Sequence, residues 1–374
     1  MEKSNGKKNK HAIVIKKIDK YILKQYFGTF LGMFLLFIPI SILVDLGERL
    51  NKFVENKVPL SEVIVYYKSF ILTFFNVLFP IFLFLSIIWF TSRMAQNTEI
   101  IAILNGGMPF WRFVMPYLVG ALIIAGTVIY LNTNIIPKAR MTYNEFWSTY
   151  FNKWGNYREK NDVYRQLDST NYVYASSINH KANMAYDFIL EKIENDRLIF
   201  RLYAQRIKRR SDTSNMYTLS NVTKRYFLEN GKQYVQKQLV FDTIMPFTFD
   251  DLTPMNYVAE GLNNKELKKF IEKEKLRGSR NIGRYLLEKY KRISLPVSAL
   301  ILTFIAVAVA SRKRRGGIGL NLAIGVAIAF GYVFFEKIFS ILTVKSGFNP
   351  FLAAWIPNLI FLFLALYLLK NAQR

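Results

Sequence analysis

The sequence predicts an α-helical membrane protein with six transmembrane helices, three on each side of an inserted extracytoplasmic β-jellyroll or β-sandwich domain. Three observations carry this reading. The chain of 374 residues is 52% apolar, and six long runs lack a single Asp, Glu, Lys or Arg. A bilayer core ~30 Å thick is crossed by about 20 apolar residues of helix, whereas a soluble helix buries only one face. The short connections between the runs are unequal in Lys and Arg, as membrane topology requires. A long polar interval between the third and fourth runs reads as strands instead.

Residues 1–26 form a basic arm with Lys3, Lys7, Lys8, Lys10, Lys16, Lys17, Lys20 and Lys24. From Ile13 the alternation of Ile15, Ile18 and Ile22 with lysines predicts a short helix lying on the inner membrane face. A basic start before an apolar run resembles a signal peptide. Phe27–Val44 is longer than a typical signal core, and no small-x-small cleavage pattern follows it, so it reads as a retained first span. The second and third runs are Ser69–Ser92 and Phe113–Pro137, closing a first helical half over 27–137. The fourth, fifth and sixth are Ile293–Ser311, Gly316–Phe335 and Ser346–Leu369, within a second half over 293–374. In lipid each must satisfy its own backbone hydrogen bonds, which makes them helices. Pro39, Pro80, Pro116 and Pro296 then mark kinks or helix starts.

The interval 138–262 holds the segments YVYASSI, AYDFILEKI, RLIFRLYAQRI, YTLSNV, TKRYFL and YVQKQLVF. Turn signals at Asn179-His180, Glu194-Asn195-Asp196 and Asn230-Gly231 separate several of them. Six or more short strands at this spacing predict the all-β domain. Over 263–292 the chain turns helical, with Leu267, Phe270 and Ile271 on one face. Glu272 with Lys275, and Glu274 with Arg277, are opposite charges three apart.

Orientation follows from the loops. Between the first two spans, Asp45, Glu48, Glu55 and Glu62 balance Arg49, Lys52, Lys57 and Lys68. The loop between spans four and five, Arg312-Lys313-Arg314-Arg315, has no acid. Counting Lys and Arg in short loops places that loop and both termini in the cytoplasm, with the β domain outside. The net charge of +25 is thereby explained by topology, and no nucleic-acid partner is expected.

Several chemistries are excluded. There are no cysteines and only two histidines, His11 and His180, far apart in the chain. A His/Cys metal site, thiolate catalysis and disulfides are not expected, and no cofactor is implied. No G-x-x-x-x-G-K-[ST] loop is present, so any ATP hydrolysis belongs to another chain. His180 reads as a surface or strand histidine rather than a triad member, and the chain is expected to be non-catalytic.

The informative short loop is Arg93–Pro109, RMAQNTEIIAILNGGMP. A helix is predicted from Met94 to Leu104, stopped by Asn105-Gly106-Gly107. Met94, Ile100, Ile101, Ile103 and Leu104 give it an apolar face, and Glu99 is its only carboxylate. Such a segment is either a solvated connector or a docking helix whose acid pairs with a basic residue on a cytoplasmic partner.

This stretch resembles the coupling-helix region of the lipopolysaccharide-export permeases LptF and LptG, with its polar pair, glutamate, aliphatics and closing glycine. Glu99 falls on the coupling glutamate and Gly107 on the closing glycine, within a coupling segment 93–107 that also holds Arg93 and Ile100. Ile18-Asp19-Lys20-Tyr21-Ile22 resembles the family's N-terminal motif. Glu266-Leu267, Phe270-Ile271, Tyr285, Lys289 and Pro296 resemble its approach to the second helical half. Asp45, Arg49 and GYVFFEKIF are more similar to the G-type than to the F-type. A lysine that some G-type members carry in the first span is missing here, where Ser41-Ile42-Leu43 stand.

The resemblance implies a bacterial inner-membrane permease paired with a second homologous permease and two copies of a cytoplasmic ATPase. Lipopolysaccharide would leave the membrane through the paired spans and pass to a single-span periplasmic jellyroll bridge protein. Arg49 and Lys52, at the outer end of span one, are candidates for a phosphorylated lipid head group. Both also suit ordinary interface anchoring. Asp45, Glu336 and Lys337 are candidates for pairing within the bundle or for gating. Two other classes remain open at this stage. An ion-coupled secondary transporter would place acids deep in the spans, and none lies at their midplanes. A membrane-anchored scaffold of envelope assembly would need no transport at all.

Overall fold

The computed structural model describes residues 17–151, 161–180, 182–210, 215–228, 231–253, 257–313 and 316–372. The basic arm before Lys17, Arg314 and Arg315 of the basic loop, Asn230 of the turn signal and Arg374 lie outside the described residues.

The first helix, α1 (Lys17–Glu55), joins the expected surface helix and the first span without a break, because no residue between them stops a helix. α2 (Leu60–Gln96) likewise runs well past its uncharged core at both ends. The helix predicted over Met94–Leu104 is split. α2 ends at Gln96, Thr98 adopts left-handed backbone (φ 60), and a separate seven-residue helix, α3 (Glu99–Asn105), follows. Asn97 and Thr98 are weak helix formers, and their amides close on Arg93 O at 3.0 Å and Ala95 O at 3.2 Å. α4 (Phe110–Asn134) is the third span, and α5 (Ile136–Phe146) with a π-helical turn at Trp147–Phe151 prolongs helical structure beyond it.

Six strands then pair antiparallel in chain order: β1 (Asn161–Gln166), β2 (Asn171–Asn179), β3 (Met184–Glu194), β4 (Arg197–Arg209), β5 (Met216–Phe227) and β6 (Gln233–Ile244). YTLSNV and TKRYFL, read as two segments, are one strand, β5, while β1 had no counterpart among them. Val173, Ala185, Phe188, Ala204, Leu219 and their neighbours bury one face, covered by Met245, Phe247, Phe249 and Leu252. The β1–β2 turn is held by Asp168, which accepts the amides of Thr170 (2.9 Å) and Asn171 (2.8 Å) and the Asn171 side chain (2.8 Å). These donors, the Asn171 amide group foremost, pull its carboxyl down to about 2.

After two short turns, α6 (Phe249–Leu252) and α7 (Val258–Gly261), comes α8 (Asn264–Leu276). α8 starts with a reciprocal cap: the Asn263 side chain accepts the Glu266 amide at 2.9 Å, and Glu266 accepts the Asn263 amide at 3.0 Å. Its predicted apolar face is the packed one, with Leu267 and Ile271 buried and Phe270 against Tyr285. Of the two charge pairs, Glu274–Arg277 forms at 3.6 Å. The sheet is seated on this neck by Arg277, which donates to Asp251 O at 2.7 Å, and by buried Arg165, which donates to Leu252 O at 2.7 Å.

The second half is α9 (Ile282–Ala310), α10 (Gly317–Ser346) and α11 (Pro350–Ala372). All six long helices are apolar and long enough to cross a membrane. α9 is the axis of the bundle: 72% of its apolar window is buried, against none of the α1 window. Polar links tie the spans together in lipid, including Asn321 to Ser92 (3.0 Å) and Asn358 to Ser294 O (2.8 Å).

α1 meets α4 where Tyr26, fully buried, lies over Gly120. A Cβ at Gly120 would stand 2.9 Å from the Tyr26 ring. Gly120→Leu is therefore expected to cost about 1–3 kcal/mol by overpacking, read as a lowered unfolding midpoint in detergent. An unchanged midpoint would show that α1 and α4 do not depend on that close approach.

Candidate functional site

The chain gathers charged side chains at both ends of the bundle. At the end away from the sheet, the first turn of α1 meets α3 and the start of α4. Glu99 is the first residue of α3, in a turn where a carboxylate is favoured by the helix dipole. It accepts from the Tyr21 hydroxyl at 2.9 Å and from the Asn97 amide group at 3.2 Å. Asp19, buried, takes both arms of Arg112 at 2.8 and 2.5 Å. Of the other segment residues, Arg93 is exposed and Gly107 has φ +85, a conformation that side chains resist. Ile100 does not face outward. It is 2% exposed and packs in the bundle core, while Ile101 and Ala102 form the outer face of α3. The loop after α9 lies at this same end, since Asn321 reaches Ser92 and Gly317 lies beside Gln96.

At the sheet-bearing end, Arg49 is engaged within its own chain. It pairs with Asp45, donates to the Tyr66 hydroxyl and lies 4.5 Å above the Trp147 ring, while Tyr66 donates to Asp45 at 2.9 Å. These contacts within the chain are those expected of an anchoring residue. Asp45 is accordingly a pairing residue. Lys52 is exposed, with its ammonium 5.9 Å from the Phe151 ring centroid, and stays available to solvent or lipid.

Glu336 and Lys337, picked out from the sequence for pairing or gating, are joined at this end by charged residues that sequence reading did not single out. A cavity of about 290 Å³ lies among α2, α4, α5, α7, α9 and α10, and its wall carries Arg140, Lys291, Arg292 and Lys337 with Glu260, Glu288 and Glu336. Arg140 bonds Glu288 at 3.0 Å and stands 3.8 Å from Glu260. Glu336 pairs with Lys291, and the 60%-exposed Lys337 stands 3.9 Å away. Four cations thus face three carboxylates. Thr73 Oγ1, Asn76 Oδ1, Asn132 Nδ2 and Arg140 Nε lie buried in or beside the same wall with no hydrogen-bond partner among the described residues. Buried groups of this kind are rare unless they meet a ligand or water. The available signal was Asn76 and Asn132 inside otherwise apolar runs.

Among the described residues no three His, Cys, Asp or Glu side chains are grouped as a metal site. His180 is bonded to Thr253 Oγ1 at 2.9 Å, a structural contact below the sheet.

No curated protein matches the chain. The family model for the lipopolysaccharide export system permease LptF/LptG matches residues 20–371, which takes in all six spans, the Glu99 segment and the whole sheet. A match over nearly the full chain, on a fold with six apolar helices and an inserted antiparallel sheet, places it in the inner membrane as a multi-pass protein; the chain belongs to the LptF/LptG family of lipopolysaccharide export permeases.

Proposed function

We propose that this chain is the membrane subunit of an ATP-driven exporter that draws lipopolysaccharide from the inner membrane and passes it to a periplasmic bridge. In this reading it pairs with a second homologous permease, binds a cytoplasmic ATPase through the Glu99 segment and keeps both termini in the cytoplasm. It is of the G-type, and its sheet stands in the periplasm.

The observation that carries the reading is the geometry of α3. It is a short helix set apart from α2 by a left-handed residue, with an acid at its start and Ile101 and Ala102 facing outward. A partner groove with a basic residue would meet both features. The unpaired β6 edge supports a periplasmic partner, since it exposes Leu239, Val240 and Ile244. Exposed strand edges recruit further strands. Each acid of the cavity has a cation beside it, which disfavours an ion-coupled transporter needing a free carboxylate.

Purification in mild detergent is expected to bring down an ATPase and a second permease with this chain. Depletion is expected to lower lipopolysaccharide at the outer membrane. A chain that purifies alone, with outer-membrane lipopolysaccharide unchanged, would point to the scaffold reading instead.

A further inference from the structure

One turn of α1 holds both flanks of the Glu99 segment. Tyr21 bonds Glu99 at the start of α3, and Asp19, two residues earlier, bonds Arg112 just beyond the end of the segment. Everything between, α3 and the Gly106-Gly107 turn, is bracketed by these two contacts, made across 78 and 93 residues of chain. Above them Ile22 and Tyr26 are fully buried, with the Tyr26 ring against Phe90 and Tyr117. Higher still, the apolar window of α1 has none of its residues buried, until Asp45, Arg49 and Phe53 rejoin α2 and α5. α1 is therefore gripped at both ends, while its middle is only partly buried and meets α2 through Phe34 on Phe75 and Phe37 on Phe82, each 4.6 Å between ring centroids.

Glu99 can keep this grip while it binds elsewhere. A carboxylate offers about four lone-pair positions. Tyr21 uses one on Oε2 and Asn97 one on Oε1, which leaves room for a guanidinium or ammonium from outside.

From this arrangement we infer that Tyr21 and Asp19 are positioning residues that pass displacement of the Glu99 segment directly into α1. The inference rests on the reading that this segment docks the ATPase. A push on α3 moves Glu99 and the α4 start, and both are tied to one turn of α1. The partly buried middle of α1 can then shift by sliding Phe34 and Phe37 over Phe75 and Phe82 of α2, while α9, mostly buried, stays fixed.

The test uses the full complex in proteoliposomes, reading ATPase co-purification, ATP hydrolysis and lipopolysaccharide transferred per ATP. Tyr21→Phe is expected to retain co-purification and hydrolysis while transfer per ATP falls at least about fivefold, the low end of measured couplings between sites. Asp19→Arg should behave the same way, and so should Arg112→Asp. The double variant Asp19→Arg with Arg112→Asp should recover the ratio. If Tyr21→Phe leaves transfer per ATP unchanged, or lowers yield, hydrolysis and transfer together, the contacts are only structural and the inference fails. Loss of the ATPase from Tyr21→Phe would likewise overturn it, by making Tyr21 part of docking. The docking reading is tested separately by Glu99→Lys, whose failure would show as retained ATPase whatever Tyr21→Phe does.

Discussion

Glu99→Lys is expected to release the ATPase from the purified complex and to abolish export, while the chain still folds and inserts. Glu99 lies at the surface of α3, and its intramolecular partners are a tyrosine hydroxyl and an amide, not a cation. Reversing its charge breaks no ion pair among the described residues. It places a positive group at a helix N-terminus, a cost of about 0.3–1 kcal/mol. Against a partner's cation the loss is larger. Removing one member of an interfacial charge pair costs about 2–5 kcal/mol, or at least roughly thirtyfold in affinity, and reversal adds repulsion. Glu99→Gln should weaken the complex less, since the amide can still accept one hydrogen bond. Equal amounts of ATPase recovered with wild type and Glu99→Lys would remove the assigned role of this residue.

The six spans were legible because a bilayer demands unbroken apolar length, and each run satisfies that by itself. Their ends were not. Lys17–Tyr26 and the flanks of α2 are polar, but nothing in them stops a helix, so α1 and α2 continue into the interface. The break at Thr98 was hidden for the opposite reason, since the apolar spacing of Met94, Ile100 and Leu104 runs straight through it. In the sheet, β1 (NDVYRQ) is an edge strand with half of its residues exposed and a buried Arg165, so it lacks the apolar alternation that betrays a strand. Glu99 could be picked out because it is the lone acid of its segment. Glu336 was picked out too, but the cavity as a whole was not, because Arg140, Glu260 and Glu288 sit on three other elements and each looks like an ordinary charge near a membrane boundary. Nor could the sequence show that Tyr66 and Trp147 reach Arg49 from other elements.

The cavity network makes the second large prediction, at Arg292. Its guanidinium, 7% exposed, donates to Leu262 O at 2.7 Å, Ala259 O at 3.2 Å and Asn264 Oδ1 at 2.7 Å, and stands 3.8 Å from Glu288. These contacts fasten α7 and the start of α8 to α9, the axis of the bundle, so one side chain joins the neck of the sheet to the spans. Arg292→Ala leaves the Ala259 and Leu262 carbonyls and the exposed Asn264 amide oxygen without this donor, and takes a cation from Glu288, which keeps Arg140 at 3.0 Å. Breaking a buried pair in this way costs about 3–5 kcal/mol, which should appear as a markedly lower unfolding midpoint in detergent and faster proteolysis near residues 257–264. Arg292→Lys should recover only part of the loss, because a compact ammonium cannot reach three acceptors that a planar fork spans. Combining Glu288→Gln with Arg292→Met should cost less than the two single changes added, since each then removes the other's unpaired charge. A wild-type midpoint for Arg292→Ala would mean that the neck is held to α9 by the packing of Tyr285, Leu267 and Ile271 alone.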